Sequence, residues 1–134
     1  MKPSRLALPC LVLGAALAGP AQAQTEIQWW HSMGGALGEW VNDLAKDYNA
    51  SQKDYKVVPT FKGSYDESMT AAIAAFRAGN APHILQVFEV GTATMMASKG
   101  AVVPVGKVMA DAGQKFDPKI YVPAVAGYYT APNG

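Results

Sequence analysis

One carboxylate stands alone in the segment from Gly79 to Gly100: Glu89. It follows an apolar, strand-like run and precedes Gly91 and a series of small residues. An ionised carboxylate only accepts hydrogen bonds, so at the mouth of a cleft it would select ligand hydroxyl or ammonium groups. The alternative interpretation is a charge at a helix start, stabilised by the helix macrodipole. The residue pattern leaves both interpretations open.

Two aromatic residues are further candidates for ligand contact. Tyr65 comes just before a predicted helix, where its hydroxyl could bind an anionic or polyol ligand, or its ring could simply pack on Phe61. Strand alternation places Trp29 on the same face as Ile27 and therefore in the core. Trp30 points to the opposite face and is the better candidate for the wall of a cleft.

Catalytic and metal-binding patterns are weak. His31 and Ser32 are adjacent in sequence, but no G-x-S-x-G motif surrounds the serine and no paired carboxylate is indicated nearby. The second histidine, His83, is predicted at the opposite edge of the sheet from His31. The single cysteine, Cys10, lies in the N-terminal leader. We therefore expect a protein that is not an enzyme and that holds neither a metal nor a cofactor.

The N-terminal residues have the three parts of a secretory signal peptide. Lys2 and Arg5 form a positive region, residues 6–18 an apolar core too short to span a bilayer comfortably, and Ala21–Ala23 a small-x-small cleavage motif. We predict that residues 1–23 are a signal peptide removed after Ala23; the alternative is a buried N-terminal helix.

Length and composition are those of one globular domain. The chain has 134 residues, of which 50% are hydrophobic, and a formal net charge of +1. This balance argues against disorder and against a nucleic-acid partner.

Strands and helices alternate along the remaining chain. "TEIQWW" and "YKVVPTF" have strand periodicity, and Pro59 pushes the second toward a sheet edge or end. The run "HILQVFE" is apolar on both faces, as in a central parallel strand. A capping box, Ser64 with Glu67, opens the second helix, and Gly79 ends it. The apolar stripes predicted for the first two helices are Leu37, Val41, Leu44 and Tyr48, then Met69, Ile73 and Phe76.

The later chain is predicted to contain a helix from Thr92 to Ser98 and another around "VGKVMADAG", after which the pattern thins. We expect an α/β fold with a parallel sheet, and we interpret the sequence as part of a longer α/β protein. In open α/β sheets, ligands bind outside the carboxyl ends of the strands. The segments "WWHSMGG", "KGSYDE" and "FEVGT" occupy that edge.

The strings "KGSY" and "QVFEVGTATMMAS" resemble the glycerol-3-phosphate-binding branch of the extracellular solute-binding proteins of ABC importers. The resemblance implies the type II periplasmic-binding fold, with two α/β lobes that close on ligand, and assigns residues 24–134 to part of the N-terminal lobe. It implies that Tyr65 and Glu89 contact glycerol 3-phosphate or a glycerophosphodiester in the periplasm. It also implies permease subunits as partners.

Two other functions are possible from the residues alone. One is a receptor for a sugar or other polyol, which the same Tyr65 and Glu89 could bind. The other is a secreted hydrolase that uses His31 and Ser32.

Overall fold

A three-stranded parallel sheet is the centre of the structure, a computed structural model that describes residues 24–128 and 130. Strand β1 spans Thr25–His31, β2 spans Tyr55–Phe61 and β3 spans Ile84–Leu85, in the spatial order β2-β1-β3. Both pairings are parallel, which confirms the predicted α/β class. The predicted signal peptide lies outside the described residues.

Helices connect the strands and continue beyond them. Because Ile84 and Leu85 are consecutive strand residues, they point to opposite faces of the sheet. Ile84 lies near helix α1 and Leu85 near helix α2, so the two helices cover opposite faces. The helices are α1 (Gly35–Ser51), α2 (Tyr65–Arg77), α3 (Glu89–Ala97), α4 (Val105–Asp111) and α5 (Pro123–Tyr128), with a 3-10 turn at Pro118–Ile120.

Helix α1 packs on the sheet through small residues. Its buried positions are Gly38, Val41 and Ala45. At Gly38 a Cβ atom would lie 2.7 Å from the carbonyl oxygen of Met33, so only glycine allows this close approach. The predicted apolar stripe is buried at Val41. Leu44 and Tyr48 face the sheet but stay 42% and 47% exposed, and Leu37 is 58% exposed.

Helix α2 begins as the sequence predicts. The Ser64 hydroxyl accepts a hydrogen bond from the Glu67 backbone N–H (3.3 Å), and the Glu67 carboxylate accepts one from the Ser64 N–H (2.7 Å). This confirms the capping box. Gly79, with φ of +75°, follows the end of the helix in the left-handed conformation that favours glycine. The face turned to the sheet again consists of small side chains, Ser68 and Ala72.

The outer edge of β2 is covered by two side-chain amides. Gln52 bonds both the N–H and the C=O of Tyr55, and Asn49 bonds both the N–H (2.7 Å) and the C=O (2.8 Å) of Val57. Pro59, two residues after Val57, faces the same outer edge and has no backbone N–H group. Among the described strands β2 is an edge strand, as Pro59 indicates.

Strand β3 differs from the prediction. The run "HILQVFE" was expected to form a central strand, but among the described strands β1 is central and β3 has two residues. Backbone bonds continue just outside it, from the His83 N–H to Gln28 O and from the Gln86 N–H to Trp30 O. At the entry, the His83 Nδ1 atom accepts from the Gln28 N–H (3.0 Å), so a side chain takes the place of a backbone carbonyl.

Helix α3 starts at Glu89, three residues before the predicted Thr92, and Gly100 follows its end with φ of +76°. The helix predicted around "VGKVMADAG" is α4. Open apolar hollows remain on both faces of the sheet; one is lined by Trp29, Leu44, Ala45, Tyr48, Val57 and Ile84. Within residues 24–128, no helix is long and apolar enough to cross a membrane.

Candidate ligand-binding site

The carboxyl ends of the three strands meet at one edge, here called the carboxyl edge and formed by residues 31–34, 61–65 and 86–89. Two hydrogen bonds join its segments. The Lys62 backbone N–H donates to His31 O (2.9 Å), and the Ser32 backbone N–H donates to the Gln86 side-chain oxygen (3.0 Å). The segments that follow β1, β2 and β3 are therefore fixed relative to one another.

Tyr65 and Glu89 are brought to the same part of this edge by Phe88. The Tyr65 and Phe88 rings stack, with centroids 5.0 Å apart and an interplanar angle of 26°. Tyr65 is the first residue of α2, and Phe88 is the N-cap residue of α3, directly before Glu89. The packing partner of Tyr65 is thus Phe88, and the suggested packing on Phe61 is wrong.

A glycine allows α3 to lie close to α2 behind this pair. Gly91 is buried, and a Cβ atom there would lie 3.2 Å from the Met69 sulfur and 3.4 Å from the Phe88 ring. The contact to the sulfur is tighter than an ordinary side-chain contact, whereas the contact to the ring is an ordinary one. A larger residue would require the Met69 side chain to move.

Glu89 is exposed and is the acidic residue in the first turn of α3. Its backbone oxygen accepts a hydrogen bond from the Tyr128 hydroxyl (3.2 Å), which ties α5 to the start of α3. The carboxylate is placed both to interact with the helix macrodipole and to accept hydrogen bonds from a ligand. The geometry is compatible with both interpretations made from the sequence.

The two tryptophans of β1 have different surroundings. Trp29 lines the apolar hollow beside α1, on the face where the core was predicted. Trp30 lies under a cation: the Lys62 Nζ atom is 3.8 Å from its ring centroid. Sequence reasoning missed Lys62, although its place directly after β2 and before Gly63 could have drawn attention to it. The role of Trp30 as a cleft wall stays a prediction.

His31 and Ser32 do not form a nucleophile and base pair. The imidazole is 3% exposed, and its Nδ1 atom accepts the Met33 backbone N–H (3.3 Å). Burial lowers the pKa of His31 from its ordinary value, so it is neutral at pH 7. The buried Ser32 hydroxyl has no hydrogen-bond partner among the described residues, His31 included. Nothing in this arrangement activates the serine.

Metal binding has no candidate residues in the described part of the chain. Residues 24–128 and 130 contain no group of three or more histidine, cysteine, aspartate or glutamate side chains placed to hold a metal ion.

Comparison with known proteins gives two kinds of match. The sequence pattern of the family described as bacterial extracellular solute-binding protein matches residues 15–133. The chain is also 57% identical, over 130 residues, to sn-glycerol-3-phosphate-binding periplasmic proteins of Escherichia coli K12, E. coli O157:H7 and Shigella flexneri serotype 5b. These alignments cover 97% of this chain and 30% of each relative's length.

Proposed function

We propose that this chain, which belongs to the family of bacterial extracellular solute-binding proteins, is part of a periplasmic receptor that captures glycerol 3-phosphate for an ABC importer. The observation that carries this proposal is the 57% identity to sn-glycerol-3-phosphate-binding periplasmic proteins. Because the chain spans 30% of the length of those relatives, the ligand and the permease partner are proposals for the whole protein. Glycerophosphodiesters are further candidate ligands, and residues 1–23 act as the signal peptide.

The position of Tyr65 and Glu89 supports this function. Both lie where ligands bind in open α/β sheets, outside the carboxyl ends of the strands. They flank Phe88 and so occupy neighbouring positions on two different helices. In our proposal the Glu89 carboxylate accepts hydrogen bonds from the glycerol hydroxyls, and the Tyr65 hydroxyl donates to the ligand.

The proposed mechanism is capture without chemical conversion. A second lobe closes over the ligand and buries its polar groups against matched partners, and the permease recognises the closed form. Closure removes water from the hydrogen bonds made by Tyr65 and Glu89. An unmatched polar group then becomes costly, because no solvent can replace the missing partner. Selectivity for a polyol phosphate follows from this cost.

The test is titration of glycerol 3-phosphate into the full-length protein and its Glu89 variants. Glu89→Ala leaves the ligand hydroxyls unpaired and should cost about 1.5 to 3 kcal/mol of binding, roughly ten- to a hundredfold in affinity. Glu89→Gln keeps one acceptor oxygen and should lose less. Glu39→Ala, an exposed glutamate of α1, is the matched control and should change nothing.

The same titrations separate the alternatives. If Glu89 is only a helix-start charge, Glu89→Ala lowers the free energy of unfolding by about 0.3 to 1 kcal/mol and leaves affinity intact. Binding of a sugar or another polyol, with no response to glycerol 3-phosphate, would replace the proposed ligand with a relative of the same receptor class.

A further inference from the structure

Lys62 is held at the carboxyl edge by its backbone and by its side chain. The residue directly follows β2, and its N–H donates to His31 O at 2.9 Å. Its Nζ atom lies 3.8 Å from the Trp30 ring centroid, a distance at which an ammonium group is attracted to the face of an indole. Lys62 is half-buried, unlike the long lysine side chains that extend into solvent. Its charge therefore has a fixed place.

This charge lacks a carboxylate partner in the described part of the chain. The ion pairs found there join Lys56 to Glu26 and Lys107 to Asp111, and all four of these side chains are more than half exposed. Lys62 is less exposed than these residues, so it has lost more hydration without gaining an anion in return. A half-buried cation in this state favours a negatively charged ligand.

The neighbouring helix start is less suited to an anion than Lys62. Two of its backbone N–H groups, those of Ser64 and Glu67, are already used by the capping box. The Glu67 carboxylate also adds a negative charge there, and the backbone hydrogen bond from Ser64 lowers its pKa, which keeps it ionised. Lys62 is then the positive group of the carboxyl edge, and the acidic residues nearby in the chain or at this edge are Asp66, Glu67 and Glu89.

We infer that Lys62 is a specificity-determining residue that binds the phosphate group of the ligand, with Trp30 as the positioning residue beneath it. The inference rests on the proposed function and adds an orientation to it. Neighbouring strands are about 4.8 Å apart, so the ends of β2 and β3 are separated by about 10 Å across β1. Lys62 follows β2, whereas Glu89 comes after β3. The ligand lies across the end of β1, with its phosphate toward Lys62 and its hydroxyls toward Glu89.

This orientation also resolves an electrostatic conflict. A phosphate group in contact with Glu89 would be repelled, whereas the hydroxyl end of the same molecule donates to the carboxylate. Lys62 attracts the phosphate away from Glu89, toward the ring of Trp30 in β1. A neutral polyol gains nothing from Lys62, so the residue raises the affinity for the phosphorylated ligand only.

The experiment compares Lys62→Met with Lys56→Met in the full-length protein, using calorimetry with glycerol 3-phosphate and with glycerol. Methionine keeps most of the side-chain length and removes the charge. We expect Lys62→Met to weaken glycerol 3-phosphate binding by about ten- to a hundredfold, while Lys56→Met has no effect. Any binding of glycerol should be equal in the two variants. Lys62→Arg, which keeps the charge, should retain more affinity than Lys62→Met.

A second measurement distinguishes phosphate binding by Lys62 from a purely structural role of the contact between Lys62 and the Trp30 ring. Rising sodium chloride should weaken glycerol 3-phosphate binding in the wild type and should weaken it less in Lys62→Met, because the screened charge is gone. Trp30→Leu should reduce affinity by a smaller factor than Lys62→Met, since it leaves the charge present but less well positioned. A fall in melting temperature with unchanged affinity in Lys62→Met would overturn the inference.

Failure of this inference differs from failure of the proposed function. If wild type binds glycerol 3-phosphate and Lys62→Met binds it equally well, Lys62 is not a phosphate ligand although the proposed function stands. If wild type shows no heat with glycerol 3-phosphate at any salt concentration, both are wrong. If Lys62→Met does not fold, Lys62→Gln takes its place in the affinity and salt measurements, with the same expected and contradicting results.

Discussion

Strand β1 has two neighbours, and it is paired with them in different ways. It is in register with β2 at seven positions but with β3 at only two. On the β3 side, side chains extend the ladder: His83 accepts the Gln28 N–H, and Gln86 accepts the Ser32 N–H. The β2 side is thus held by backbone pairing along its length, whereas the β3 side combines a few backbone bonds with bonds to the His83 and Gln86 side chains.

The difference between the two pairings suggests that the β1–β2 pair stabilises the fold and that the β1–β3 pair positions the ligand-binding residues. A continuous backbone ladder fixes β1 and β2 along their whole length. The short pairing with β3 lets the chain leave the sheet early and turn into α3, with Glu89 as its first residue. We therefore expect changes on the β2 side to act mainly on stability, and changes on the β3 side to act on ligand affinity as well. Each of the following predictions concerns the full-length protein.

The largest effect on stability is expected from Asn49→Ala. The substitution removes both hydrogen bonds to Val57 and should lower the free energy of unfolding by about 1 to 3 kcal/mol, with no change in glycerol 3-phosphate affinity. Chemical denaturation measures the first quantity and calorimetry the second. Asn42→Ala, an exposed asparagine two turns earlier on α1, is the control. Loss of affinity in Asn49→Ala without loss of stability would contradict the comparison.

A smaller effect on stability, accompanied by weaker binding, is expected from Gln86→Ala. It leaves the Ser32 N–H without its acceptor and should cost about 0.5 to 1.5 kcal/mol of unfolding free energy. Because Ser32 lies at the carboxyl edge, affinity should fall too. Gln86→Glu keeps an acceptor oxygen and should lose less, and the exposed Gln114→Ala should behave as wild type. Unchanged affinity in Gln86→Ala would remove the link between this bond and the site.

The smallest effect is a dependence of stability on pH caused by His31. Burial lowers its pKa below the ordinary value of 6.5, so the unfolded chain binds the proton more tightly than the folded one. The free energy of unfolding should be highest above pH 6.5 and should fall as the pH drops below that value through the folded pKa. Denaturation curves recorded at several values between about pH 7.5 and pH 5 measure this dependence. The range extends about one pH unit or more to each side of the ordinary histidine pKa. His31→Gln should have a smaller slope, and an equal slope would assign the effect to other groups.

Much of the scaffold could be predicted from sequence because its signals are local. Strand β2 was predicted residue for residue, and the capping box of α2 was predicted from Ser64 and Glu67. Local patterns also predicted that Glu89 belongs at the boundary between a strand and a helix. They did not predict the length of β3, because its limits depend on hydrogen bonds to Gln28 and Trp30, which are distant in sequence.

The site was harder to predict than the scaffold for the same reason. Tyr65 and Glu89 were predicted to lie at the same edge of the sheet, and they do. Their role in ligand binding stays a prediction. The ring that Tyr65 packs on, Phe88, was missed because the contact joins residues on different helices. Lys62 and Gln86 were missed because strand register, which no periodicity encodes, brings each of them to β1.

The side-chain amides that cover the outer edge of β2 affect how this edge can interact with other polypeptides. An edge strand with free N–H and C=O groups is a template on which another polypeptide can add a strand, and this is a common route to aggregation. At Tyr55 and Val57 the outward groups are already occupied by side-chain amides, and Pro59 has no donor. A polypeptide that approaches this edge at Tyr55 or Val57 finds the backbone groups already paired, so we expect strand addition along this part of β2 to be disfavoured.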